Sequence, residues 1–267
     1  MNSKFALTTL AAAVALGFGI GQASAATLVA DGFDYADGEL TVYDGTGANV
    51  SGGLWTPHSG TGFTPPVMVS GGSAILQISG SEDVNRAAAG GVTNNGTDKW
   101  YYAAKFTVTD NDPDPTVVEE YFAHFGGFVG RAYTASPSVT AGKFAIGLSA
   151  GSGGLTTKTA DIDYGVEHVI VVSFDPITGT ANLWLNEASE AGAFITSTDV
   201  GRIGQVVDDI SLRQAFAGAP DGWDHTVAVN GVGLATTWDE AFMGSMVPEP
   251  ASLSLLAIGG LAMLRRK

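Results

Sequence analysis

Apolar residues recur at every second position in several short stretches of the chain and almost nowhere with helical spacing. In residues 101–109, Tyr102, Ala104, Phe106 and Val108 fall on one face of an extended chain, and Tyr101, Ala103, Lys105 and Thr107 on the other. That period of two predicts a β-strand. Residues 167–174 are mostly β-branched or aromatic, which predicts a strand covered on both faces. At 181–186, Ala181, Leu183 and Leu185 point inward while Asn182, Trp184 and Asn186 point outward. Between these two strands, Asp175-Pro176-Ile177-Thr178-Gly179 has Pro early and Gly late, the chemistry of a hairpin turn.

Further strands are expected at 74–78, 120–125, 143–149, 206–213 and 226–229, and helical turns only around 238–242 and 214–217. Many short strands separated by turn signals predict an all-β chain, a single jelly-roll-like antiparallel β-sandwich. No internal repeat or composition break divides residues 26–244, so they read as one domain.

The two ends follow other patterns. Lys4 precedes a charge-free apolar run at 7–20, and Ala23-Ser24-Ala25 follows it. Residues 1–25 therefore read as a signal peptide, with Ala23 and Ala25 meeting the small-residue demand of signal peptidase. At the other end, Val247-Pro248-Glu249-Pro250 leads into 14 uncharged residues, 251–264, and then Arg265-Arg266-Lys267. The run is shorter than the roughly 20 residues that span a hydrocarbon core comfortably. Its basic flank nevertheless suits a short membrane helix stopped at the cytoplasmic face of the inner membrane.

Residues 247–267 resemble the PEP-CTERM sorting signal of Gram-negative bacteria. The resemblance implies export, recognition by an exosortase at Pro248, Glu249 and Pro250, and release or attachment at the cell surface, often beside exopolysaccharide. The body carries a softer resemblance. Residues 31–38, the hairpin 171–186 and the stretch 229–238 look like concanavalin A-like (laminin-G-like) sandwiches, a family that fixes no ligand.

Charge and composition narrow the chemistry. Of 12 basic and 27 acidic residues, four basic ones lie in the terminal segments, whereas every acidic one lies between Asp31 and Glu249. Such a surface repels phosphate backbones, which argues against nucleic acid as a partner. No cysteine is present, so disulfides, thiolate catalysis and thiolate metal sites are excluded.

Two acidic clusters are candidate ligands for a structural Ca²⁺: Asp31, Asp34 and Asp37 beside Glu39, and Asp110, Asp112 and Asp114. Pro115 stands where an EF-hand loop needs Gly, and Tyr121 where it needs Glu. Trp184 flanked by Asn182 and Asn186 is the candidate glycan platform. An enzyme reading finds little support. The run Asp161-Ile162-Asp163-Tyr164-Gly165-Val166-Glu167 is the nearest approach to a glycosidase carboxylate pair, and Gly165 interrupts it. His58, His124, His168 and His225 have no nucleophile elbow among the serines. These observations point to a non-enzymatic structural or glycan-contacting sandwich; a polysaccharide hydrolase or lyase on the same scaffold is the alternative.

N-terminal sequencing of exported protein should begin at Ala26. Secreted material that retains Met1 would contradict the signal-peptide assignment.

Overall fold

The computed structural model describes residues 27–41, 55–59, 66–77, 80, 82–110, 120–135, 142–151, 153–214 and 225–246. In chain order the strands are β1 (Thr27–Asp31), β2 (Gly38–Glu39), β3 (Thr56–Ser59), β4 (Met68–Ser70), β5 (Ser73–Gln77), β6 (Asp83–Ala87), β7 (Trp100–Asp110), β8 (Glu120–Phe125) and β9 (Val129–Ala135). They continue as β10 (Lys143–Ser149), β11 (Thr157–Lys158), β12 (Ile162–Asp163), β13 (Glu167–Asp175), β14 (Thr180–Leu185), β15 (Phe194–Thr198), β16 (Asp209–Arg213) and β17 (His225–Ala235). The described residues hold a single α-helix, α1 (Trp238–Ser245).

The larger sheet runs β15-β14-β13-β7-β17-β5-β4-β2, with β1 also paired to β17; the smaller runs β11-β10-β9-β8-β16-β6-β3, with β12 also paired to β10. Every described pairing is antiparallel. One core lies between them. Phe106, Val172, Phe174, Leu183 and Leu234 from the larger sheet share a buried cluster with Phe122, Phe125, Phe144, Ile146, Ile210 and Leu212 from the smaller. The chain is thus all-β, two antiparallel sheets packed face to face, as the alternation predicts.

Strands at 120–125 and 143–149 fall where expected, and the hairpin turns at Gly179 with φ +66°. Two expected strands depart from their bounds by more than one residue. The one at 206–213 begins only at Asp209, because the residues before it bond to a loop and not to a ladder. Val207 N–H donates to Asn94 Oδ1 at 2.8 Å, and the Asp208 carbonyl accepts from Ala88 N–H at 2.8 Å. The strand expected at 226–229 is in fact the 11-residue β17. A register shift between Val229 and Gly231 explains the misreading. Val227 and Val229 point into the core before the bulge and Val232 and Leu234 after it, so the alternation skips a residue at Asn230.

That bulge also prepares a seat for α1. Gly231 and Gly233 now face outward, where a Cβ would stand 2.0 Å from the carbonyl oxygens of Ser245 and Ala241 respectively. Gly244 reciprocates, with a Cβ position 3.0 Å from the Gly233 Cα. Backbone therefore packs on backbone. Thr237 caps the helix by accepting from Glu240 N–H, and Trp238 and Ala241 join Tyr101, Ala103, Val171, Trp184 and Ala235 in a second buried cluster on the outer face of the larger sheet.

Gly233→Ala should therefore cost about 1–3 kcal/mol in denaturant unfolding, the usual penalty for overpacking. Gly153→Ala, whose Cβ would meet nothing within 4 Å, is the control and should stay within about 0.5 kcal/mol. Equal effects from the two substitutions would show that α1 does not depend on the glycine seat.

Candidate functional site

The outer face of the smaller sheet carries a grid of polar and aromatic side chains. Because Ile210 and Leu212 of β16 enter the core, Asp209, Ser211 and Arg213 face out. The same alternation turns Arg131 and Tyr133 of β9, and Asp83 and Asn85 of β6, to that side. The ladders set them in rows: Tyr121 opposite Tyr133, Arg213 opposite Asp83, and Ser211 between His124 and Asn85.

Tyr121 sits at the centre. The guanidinium carbons of Arg213 and Arg131 lie 4.1 and 4.8 Å from its ring centroid, within cation–π range. Tyr133 and His124 each approach it with ring centroids 5.5 Å away. Arg213 Nη1 donates to Glu120 Oε2 at 2.6 Å, while Arg131 donates to the Phe128 carbonyl at 3.2 Å and to the Tyr133 hydroxyl at 3.3 Å. Asp209 accepts from Asn85 Nδ2 at 3.0 Å and from the Ser211 hydroxyl at 3.1 Å. The His124 ring stacks on Phe128 at 5.0 Å, and His58 meets the edge of Phe128 at 5.7 Å.

Burial divides this face into floor and rim. Arg131, Arg213, Tyr133, His124 and Ser211 are buried; Glu120, Tyr121 and Asn85 are partly open; Thr56, His58 and Phe128 are exposed. Burial also sets the charge states. It pushes the phenols of Tyr121 and Tyr133 up and the carboxyl of Asp209 up, and it drives His124 down to about 3. His124 Nδ1 lies 2.6 Å from the Phe125 carbonyl, and its buried Nε2 has no hydrogen-bond partner. The floor therefore offers neutral phenols, a neutral imidazole and two guanidinium groups.

Apart from His58 and His124, none of these residues was among the sequence candidates, because alternating polar residues on a strand look like any solvated face. The candidates themselves are placed elsewhere. Trp184 is no platform: it is 2% exposed, covered by the cluster that α1 closes, with Phe194 at 5.3 Å and its Nε1 donating to the Glu190 carbonyl at 3.0 Å. Asn186 is committed locally, accepting from Val169 N–H at 2.9 Å and contacting His168 Nδ1 at 3.0 Å. Asn182 sits within the β14 ladder, between Ser173 and Thr196.

The first acidic cluster also disperses. Asp31 is buried and bound by Arg86, Asp34 is exposed, and Asp37 accepts from Gly71 N–H at 3.0 Å. Glu39 is exposed on β2. Asp110 ends β7 opposite His225. Among the described residues no three acidic or histidine side chains converge as a metal site. Asp112, Asp114, Ala23, Ala25, Pro248, Glu249, Pro250, Arg265, Arg266 and Lys267 lie outside the described residues. So does the apolar run 251–264; among the described residues no helix is long and apolar enough to cross a membrane. In the run 161–167, Gly165 takes φ +70° and breaks the strand, and Asp163 and Glu167 lie on different strands beside Lys143 and Lys105.

No family model matches the chain, and no curated protein matches it. Solved structures do resemble it. An alginate lyase of polysaccharide lyase family 7 aligns with a TM-score of 0.42 and 8% identity, over 62% of this chain and 80% of that one. A seed lectin of Lotus tetragonolobus aligns with a TM-score of 0.42 and 10% identity, over 62% and 87%. The binding domain of botulinum neurotoxin DC aligns with a TM-score of 0.45 and 8% identity, over 82% and 51%. The two sheets and their shared core define the architecture independently of these likenesses.

Two buried histidines give the fold a pH dependence. His225, with Nε2 3.0 Å from the Thr134 hydroxyl, is also driven down to about 3 by burial. Both histidines stay neutral in the folded state and protonate in the unfolded state below about 6.5. The unfolded state then binds more protons, so stability present at pH 7 is lost as pH falls toward 3. Unfolding free energy should fall from pH 7 to 5.5 with a slope approaching ~1.4 kcal/mol per pH unit for each histidine once pH is below about 6. The raised carboxyls of Glu82 and Asp209 act in the opposite sense, on the acid side of that window. His124→Gln should flatten the slope by about half, and a slope indifferent to both histidines would contradict the assignment.

Proposed function

We propose that this is an exported protein of the cell envelope or extracellular matrix that contacts glycan through the outer face of the smaller sheet and catalyses no reaction on it. The observation that carries the reading is the grid itself. Tyr121 supplies a partly open ring and Asn85 a partly open amide beside an exposed rim at Thr56, His58 and Phe128, and the buried Arg131, Arg213, Tyr133 and Ser211 form the floor that positions them. Sugars present apolar ring faces and hydroxyls together, which such a surface complements.

The chemistry of the floor supports binding over turnover. A general base works best with a pKa near the working pH, and His124 is held near 3. Glu120 is taken by Arg213, and Asp209 by Asn85 and Ser211. The terminal patterns support export in a Gram-negative cell and handling by signal peptidase and an exosortase, with the body as a jelly-roll-like, concanavalin A-like sandwich between them.

The test is a glycan array read with the full chain, beside a turnover screen on the glycans it retains. Retention on a subset of polysaccharides with no new reducing or unsaturated ends is expected, and Tyr121→Ala should weaken retention about tenfold. Retention of nothing would overturn the glycan reading. Product formation would overturn the non-enzymatic one.

A further inference from the structure

We infer that the glycan carries carboxylates, and that Arg131 is the residue that receives them; the inference rests on the glycan reading above. The chain has a net charge of −15, so its cations have carboxylates in abundance. Of the arginines among the described residues, Arg86 pairs with Asp31, Arg213 with Glu120 and Arg202 with Asp199. Among the described residues Arg131 alone of the arginines has no carboxylate within 4.0 Å, although only 7% of its surface is exposed.

Its contacts are a carbonyl, a phenol and a ring, none of which neutralises a charge. Among the described residues Nη2 finds no hydrogen-bond partner, and it is not sealed from solvent. A nearly buried guanidinium without a counter-ion is costly, and an incoming anion relieves that cost. The planar head suits a carboxylate in particular, because its parallel N–H groups match two oxygens.

The acids of the same face do not oppose such a ligand. Glu120 of β8 is held by Arg213. Asp209 of β16 is held by Asn85 and Ser211, and Asp83 of β6 stands opposite Arg213 in the ladder. Strand β8 separates Arg131 on β9 from β16, and both β8 and β16 separate it from β6. Next to Arg131 are the Tyr121 ring and the Tyr133 hydroxyl, which fit a sugar ring bearing the carboxylate better than a free inorganic anion. A uronic-acid unit meets all three.

The experiment compares a short oligogalacturonate with the same oligosaccharide after reduction of its carboxyl groups, both titrated into the full chain. The acidic form should bind at least about tenfold more tightly at low salt, a preference that shrinks as salt rises. Arg131→Gln should erase the preference, because it weakens the acidic form by at least about tenfold more than the reduced form. Equal affinities for the two forms in the parent would overturn the inference and leave the glycan reading standing. A preference that survives Arg131→Gln would overturn the assignment to Arg131. Binding of neither form, with no other glycan retained on the array, would remove both readings. Should Arg131→Gln fail to fold, Tyr133→Phe decides, since it removes the hydroxyl that holds the guanidinium: a preference cut about threefold is expected, and an unchanged one overturns the inference.

Discussion

The carboxylate of Asp31 is the point at which the two sheets are tied together. It closes β1 of the larger sheet and is ion-paired, in the interior, with Arg86 of β6 in the smaller. It also accepts from Phe33 N–H at 2.8 Å, from the Tyr35 hydroxyl at 2.6 Å and from Trp55 Nε1 at 2.8 Å. A buried charge persists only when its lone pairs are satisfied, and these four donors satisfy it. Phe33 takes φ +55°, a conformation that costs a bulky residue about 1–2 kcal/mol. Complete burial of its ring, stacked on Trp55 at 5.6 Å, offsets that strain by a similar or larger amount.

Much of the site follows from this tie. Arg86 and Asn85 are adjacent on β6 and point to opposite faces, one inward to Asp31 and one outward to Asp209. Fixing Arg86 therefore fixes Asn85, and through the β6–β16 ladder the row that holds Ser211 and His124. Among the described residues, the outer face of the larger sheet is closed by a helix near its centre. There α1 lies on the glycines of β17 and closes an aromatic cluster around Trp184 and Trp238. The two outer faces thus differ in kind, one sealed by a helix and one laid with charge and rings.

The sandwich was legible in the sequence because burial on one side of a strand leaves a period of two, which is plain at Tyr102, Ala104, Phe106 and Val108. It failed where geometry departs from the period, as at the bulge beside Asn230, and where strands are too short to show one, as in β2, β11 and β12. The site was hidden for a different reason. Arg131 and Tyr133, or Asp209, Ser211 and Arg213, have the pattern of an ordinary wet face, and only tertiary packing shows them buried. Trp184 misled in the opposite direction. Its alternation correctly put it on the outer face, but nothing local announces that a helix more than 50 residues later covers it.

The account stands or falls on which face of the sandwich meets glycan. Backbone amide chemical-shift mapping of the full chain, with and without a short oligogalacturonate, reads this directly. The shifts should gather on β8, β9 and β16 and on the turn Gly126–Phe128 beside them. Shifts centred instead on β13, β14 and α1, around Trp184, would contradict it.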